Sequence, residues 1–232
     1  MQGCVCNPGF ARGASFLFLA DCLEVLPTLP DDSVDCIITD PPYGMNYKSL
    51  SRSMPKTTIA NDGPEAYSLL DNALTIAVQK LKLDSHVYIF TDWHVYEPMA
   101  EVVKKYFKLK NVLVWAKNNR TRGDLKGNYG YQHEMVLYAH KGRRHLLGKR
   151  DGNVLNFNKV YSSRMKHPTE KPVSLLKYLI GKSTNEGETI LDMFAGSGSM
   201  CVAAQNLKRN YIGIEVDETW YRVARKRLEE GA

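Results

Sequence analysis

"ILDMFAGSGS", Ile190 to Ser199, and "YIGIEVD", Tyr211 to Asp217, lie twelve residues apart and read as one unit. The apolar run Thr189 to Phe194 has strand length, and Gly196, Ser197 and Gly198 form a turn behind it. A helical pattern follows Gly198, and a second strand ends on Glu215, nineteen residues after Gly196. This is the layout of a nucleoside site. Glycines let the backbone approach a ligand closely, and a carboxylate at the next strand tip can accept hydrogen bonds from both ribose hydroxyls. The spacing is GxG followed by Ser199 and Met200 rather than GxGxxG, and the loop holds no basic residue, so a pyrophosphate is not expected. The plainer alternative is a turn that is glycine-rich only for tightness.

Outward from this unit the same alternation recurs. Ser15 to Ala20, Val34 to Thr39, His86 to Thr91, Asn111 to Ala116 and Glu134 to Ala139 are further strand-length apolar runs. Between them lie helical patterns. The clearest spans Glu65 to Leu83, where Ala66, Leu69, Leu70, Ala73, Leu74, Ala77, Val78 and Leu81 form one stripe. Others begin near Pro98, near Pro172 and at Asp217, an N-cap for Trp220, Val223, Ala224 and Leu228. Apolar strands alternating with amphipathic helices predict a doubly wound α/β fold, a mostly parallel sheet with helices on both faces. Gly44 to Pro64, Asn118 to Gly130 and Lys141 to Lys166 lack periodicity and read as long loops.

Composition sets bounds. With 232 residues, 44% hydrophobic and 24% charged, the chain reads as a single domain, 1–232. No run approaches a membrane span and the start lacks the pattern of a signal peptide, so a cytoplasmic protein with no membrane partner is expected. The five cysteines form no CxxC pair and read as reduced thiols, Cys4 and Cys6 lying in a frayed terminus. The net charge of +6 is unevenly placed, with nine Lys and Arg between Lys117 and Arg150 against Asp124 and Glu134, which suits a polyanion or a solvated basic face. No metal is expected: in "HEMVL" the second histidine of an HExxH site is replaced by Leu137.

"TDPPYGMNY", residues 39–47, ends the Val34 to Thr39 strand on two prolines that neither a helix nor a central strand tolerates. Asp40, Pro41, Pro42 and Tyr43 therefore read as a site rather than a packing element, the alternative being a plain turn. Together, "DPPY" and "FAGSGS" resemble the amino-methylating DNA methyltransferases that use S-adenosylmethionine. The likeness covers nearly the whole chain and includes "ADCLEVLPTLPDDSVDCIITDPPY" (20–43), "VLVWAKNN" (112–119), "HEMVLYAHKG" (133–142) and "HPTEKP" (167–172). DPPY before FAGSGS looks like the β group, a circularly permuted order of a Rossmann-like methyltransferase sheet, with a small target-recognition insertion at about 118–166. Ribosomal-RNA and protein-glutamine methyltransferases place the cofactor motif first.

The resemblance implies roles for individual residues. Asp40 and the Pro41 carbonyl would accept the two N–H bonds of a target amine, and Tyr43 would stack on a base flipped out of double-stranded DNA. Asp192, Phe194, Gly196, Ser197 and Gly198 would line S-adenosylmethionine, Glu215 would take its ribose, and Asp21 with Cys22 would lie near its adenine. Thr169 and Lys171 would hold its methionine carboxylate. Lys117, Arg120, Arg122, Lys126, Arg143, Arg144, Lys149 and Arg150 are the candidate DNA contacts. Aspartate at the first position of the tetrad points to adenine N6, with cytosine N4 as the alternative and a silent DNA-binding protein as the remote one. The recognition sequence and any restriction endonuclease partner are not legible, and a homodimer is compatible with the reading. Gly44 to Pro64 reads as a lid.

Overall fold

The computed structural model describes residues 13–45, 60–120, 126–160 and 170–231. Cys4, Cys6, Arg122, Thr169 and most of the expected lid, 46–59, lie outside the described residues. The elements run β1 (Phe16–Leu19), α1 (Cys22–Val25), β2 (Val34–Thr39), α2 (Ala66–Lys80), β3 (Leu81–Thr91), α3 (Tyr96–Lys104) and β4 (Lys108–Ala116). They continue with β5 (His133–Lys141), β6 (Val154–Asn156), α4 (Val173–Ser183), β7 (Thr189–Asp192), α5 (Ser199–Asn206), β8 (Asn210–Glu215) and α6 (Glu218–Glu230).

The strands form one eight-stranded sheet in the order β1-β8-β7-β2-β3-β5-β4-β6. Every pairing is parallel except the two made by β5, which runs antiparallel to β3 and β4. The expected doubly wound, mostly parallel architecture is therefore present. The sheet is buried on both sides because its central strands carry apolar side chains on both faces. Ile37, Val87 and Ile89 face α1, α2 and α3, where Val25, Leu70, Leu74, Met99 and Val103 meet them. Cys36, Ile38, Tyr88 and Phe90 point the other way, to Leu176, Leu179, Ile180, Met200 and Ala203 of α4 and α5. Each fully buried Leu or Ile in these layers contributes roughly 1.5–3 kcal/mol, before the conformational entropy that opposes it.

Two boundaries differ from the periodicity. Helix α2 stops at Lys80, and Leu81 pairs with Val34 of β2 as the first residue of β3. The apolar stripe runs on because a buried sheet position and a helix face both call for leucine. The stretch Lys141 to Lys166, read as loop, contains β6, whose Val154, Leu155 and Asn156 pair with Val114, Trp115 and Ala116 at the sheet edge. Three residues are too few to show an alternating pattern.

Candidate active site

Strands β1, β2, β3, β7 and β8 run parallel, so the segments that follow them emerge at one edge of the sheet. Thr39, the last residue of β2, ties two of these tips: its hydroxyl donates to Asp192 Oδ1 at 2.8 Å and accepts from the Met193 N–H at 3.2 Å. Pro41 and Pro42 then take the chain out of the sheet, since neither has an N–H for a ladder. Asp62 holds the turn that follows, accepting the N–H groups of Tyr43 and Gly44 at 2.7 Å each and of Met45 at 3.3 Å. Gly44 has φ +75°, and a Cβ there would stand 3.1 Å from the Gly63 carbonyl oxygen.

Asp40 is engaged through both oxygens. The Tyr43 hydroxyl donates to Oδ1 at 2.7 Å and the Lys171 ammonium to Oδ2 at 2.6 Å. Lys171 also lies 3.2 Å from Glu134 Oε2, and Lys117 pairs with the other oxygen of Glu134. Burial raises the Asp40 carboxyl above its usual range, with Lys171 working against it. Burial would also raise Glu134, but Lys171 and Lys117 outweigh it and bring that carboxyl down to about 2. Burial opposes the charge on Lys171, and Asp40 with Glu134 reverse this, so its ammonium is held well above the ordinary lysine range. Burial likewise pushes the Tyr43 phenol up, which keeps its hydroxyl a donor to Asp40.

The glycine-rich turn forms the other half of the site. Glu215, at the end of β8, accepts the Gly196 N–H at 2.6 Å and the Asp217 N–H at 2.8 Å. Gly198 starts α5 with φ +75°, and a Cβ there would come within 2.7 Å of the Ala224 Cβ. Glycine is required on both counts. Behind the turn, Arg227 of α6 is buried, donates to the Ser197 carbonyl at 2.8 Å and lies 3.1 Å from Glu170. Burial raises Asp192 to about 7 and raises Glu215 as well. Asp21 caps α1 by accepting the Leu23 N–H at 2.8 Å, and burial pushes the neighbouring Cys22 thiol up to about 12.

A cavity of about 390 Å³ joins the two halves. Asp21, Cys22, Asp40, Pro41, Pro42, Tyr43, Lys171, Asp192, Phe194, Gly196, Ser197 and Glu215 all line it, and of the expected cofactor residues among the described ones only Gly198 does not. Lys171 is placed differently from the expectation, with its ammonium on Asp40. Trp115 is buried in the wall and donates to the Phe157 carbonyl, whereas Trp93 is exposed.

The basic segment does not form one face. Because β5 is antiparallel, His133 and Glu134 start it at the cavity edge, and Lys141 ends it beside Ser85, near the opposite edge. The turn beyond is fastened there: the Arg143 N–H donates to Asp84 at 2.6 Å, Arg144 pairs with Glu188 at 2.6 Å, and the Lys149 carbonyl accepts from Lys182. None of Arg143, Arg144, Lys149 and Arg150 lines the cavity, nor do Arg120 and Lys126, which are exposed residues between β4 and β5. The charge count could not reveal this, since it depends on the direction of β5.

Asp62, Glu134, Lys159, Glu170 and Arg227 have no part in the sequence reading of the site. Arg227 leaves a trace: it falls on the face of α6 shared with Trp220, Val223 and Ala224, where an arginine calls for a buried partner. Asp62 leaves none, because its partners are backbone groups nineteen and fewer residues upstream.

The chain is 37% identical over 209 residues to a protein of Escherichia coli (strain K12) named as a methylase, YubD, covering 90% of this chain and 87% of that one. The structure of M1.HpyAVI in complex with SAM superposes with a TM-score of 0.72 at 25% identity, over 91% of this chain and 98% of that one. The cytosine-N4-specific PvuII DNA methyltransferase shares the fold, with a TM-score of 0.75 at 16% identity over 95% and 89% of the two chains. The family model described as DNA methylase matches residues 34–226, a span that contains the proline-rich tip of β2, the glycine turn after β7 and Glu215 alike. With both halves of the cavity inside that match, the chain belongs to the N6/N4 DNA methylase family.

Proposed function

We propose that the enzyme transfers a methyl group from S-adenosylmethionine to the N6 amino group of an adenine flipped out of double-stranded DNA. The observation that carries this reading is the meeting of Asp40 to Tyr43 with Asp192 to Ser197 in one cavity, tied at the strand tips by Thr39.

The residues fit the cofactor. Two buried carboxylates, Asp192 and Glu215, flank a turn whose backbone is open to close approach, and Phe194 supplies a half-buried apolar wall. Glu215 would accept from the ribose hydroxyls, and the acidic lining suits a cation. The bound cofactor supplies a sulfonium methyl, an electrophile already activated for transfer. Glu215→Ala is expected to weaken cofactor binding by roughly 1.5–3 kcal/mol, the range for a hydrogen bond to a charged group. Titration calorimetry with S-adenosylmethionine checks this. An unchanged dissociation constant would mean that Glu215 serves only to hold the Gly196 and Asp217 amides.

At the other half, the difficulty is the nucleophile. An exocyclic amine conjugated to a purine ring has its lone pair delocalised into that ring. Asp40 accepting one N–H and the Pro41 carbonyl accepting the other would draw the nitrogen toward tetrahedral geometry and aim the lone pair at the methyl group. The nitrogen lone pair would form the new N–C bond as the S–CH3 bond breaks and its electron pair returns to sulfur, leaving a neutral thioether, and the surplus proton would leave through Asp40 or to water afterwards. Tyr43 would present its ring to the flipped base while its hydroxyl orients Asp40. Most of the rate then comes from position and charge.

Adenine is preferred over cytosine because an aspartate, not a serine, opens the tetrad. Duplexes in which every adenine of one strand is replaced by a base lacking the 6-amino group test this: methyl incorporation into that strand should vanish. Incorporation that persists there and disappears on removal of cytosine would assign N4 instead.

A further inference from the structure

Four charged side chains from four separate segments alternate in sign in one chain of ion pairs: Lys117 beyond β4, then Glu134 of β5, Lys171 before α4 and Asp40 beyond β2, the last three lining the cavity. Their side chains are 14%, 20%, 7% and 22% exposed. A mostly buried chain of ions contributes little to stability compared with apolar packing, so its presence in the wall of a pocket calls for another reason.

We propose that Glu134 is a positioning residue for methyl transfer: it holds the Lys171 ammonium beside Asp40 and, with Lys117 behind it, keeps the cluster electrically neutral. The assignment rests on the reading of Asp40 as the acceptor of the target amine. Lys171 has three N–H donors and reaches both carboxylates, at 2.6 Å and 3.2 Å. Near Asp40 its charge keeps a buried carboxylate ionised and able to accept an N–H. The same charge opposes the positive charge that develops on the target nitrogen. Glu134 answers that conflict, since the cluster sums to zero only while its carboxylate is present. Other charged groups around Asp40 are Asp192 of β7, Asp92 beyond β3 facing Tyr43, and Lys159 facing Lys171 and Glu134.

The test is single-turnover transfer of a labelled methyl group to duplex DNA, at saturating DNA and cofactor, as a function of pH. Glu134→Gln is expected to slow transfer on the order of 10²-fold, while cofactor affinity stays within about threefold. The acid limb of its rate profile should move to lower pH, because Glu134 is one of the charges that raise Asp40. Glu134→Asp, which keeps the charge, should retain more of the rate. The double variant Glu134→Gln with Lys117→Gln, neutral again, should recover about tenfold of the loss.

A Glu134→Gln enzyme with the wild-type rate, or with an unmoved acid limb, overturns the proposal. So does one that loses cofactor affinity in step with rate, since Glu134 would then merely shape the cavity. If Glu134→Gln alone does not fold, the double variant decides, and a folded double variant no faster than about 10⁻² of wild type overturns it. Asp40→Ala measured alongside separates the two readings. Were it to keep turnover, the role of Asp40 would fall; were it inactive while Glu134→Gln is unimpaired, only the role of Glu134 would.

Discussion

Asp40→Ala is expected to lower the single-turnover methyl-transfer rate by about 10²–10⁴-fold, the range for a positioned acid–base or charge-stabilising group. Cofactor affinity should stay within about threefold, because on the proposed reading the carboxylate would meet the target amine and only border the other half of the cavity. Two effects are lost together. The amine loses the acceptor that localises its lone pair, and the ammonium that develops loses a negative charge at close range. Lys171 loses a partner at 2.6 Å but keeps Glu134 at 3.2 Å, so the pocket should survive. Rapid-quench kinetics and cofactor titration on the same preparation check the split. A drop in cofactor affinity as large as the drop in rate would place Asp40 in the cofactor site instead.

The second large effect concerns stability. Arg227→Ala is expected to destabilise the fold by about 3–5 kcal/mol, the range for removing one partner of a buried ion pair. The Arg227 and Glu170 side chains are each 6% exposed, so water cannot replace the guanidinium that Glu170 loses. The Ser197 carbonyl and the hydroxyls of Ser197 and Ser199 lose their donor at the same time. Because these groups form the glycine-rich turn, cofactor affinity should fall as well. The urea midpoint, with its slope unchanged, reads the first effect. A shift worth less than about 1 kcal/mol would mean that the pair only offsets its own desolvation.

The fold was legible because its signals are local. Strand-length runs such as Val34 to Thr39, the stripe on α2, and Asp217 as an N-cap, which accepts the Thr219 and Trp220 amides at 2.7 and 3.2 Å, depend on near neighbours. The site residues that could be named were those carried by unusual local chemistry: two prolines after a strand, two glycines after another, a carboxylate at a strand tip. What stayed hidden depends on distant encounters. The pairing of Lys171 with Asp40 joins residues 131 positions apart, and that of Arg227 with Glu170 joins helix α6 to the segment before α4. The splitting of the basic segment follows from one antiparallel strand, and no periodicity encodes the direction of a strand.

The proposal that this cavity carries out amine chemistry on adenine is tested most directly by the product itself. Duplex DNA incubated with the enzyme and S-adenosylmethionine carrying a deuterated methyl group is digested to nucleosides and separated by mass. The account expects the label in N6-methyldeoxyadenosine, with its rate of formation by Asp40→Ala lower by about 10²–10⁴-fold. Label confined to N4-methyldeoxycytidine, or a ring-carbon methyl in its place, would contradict it.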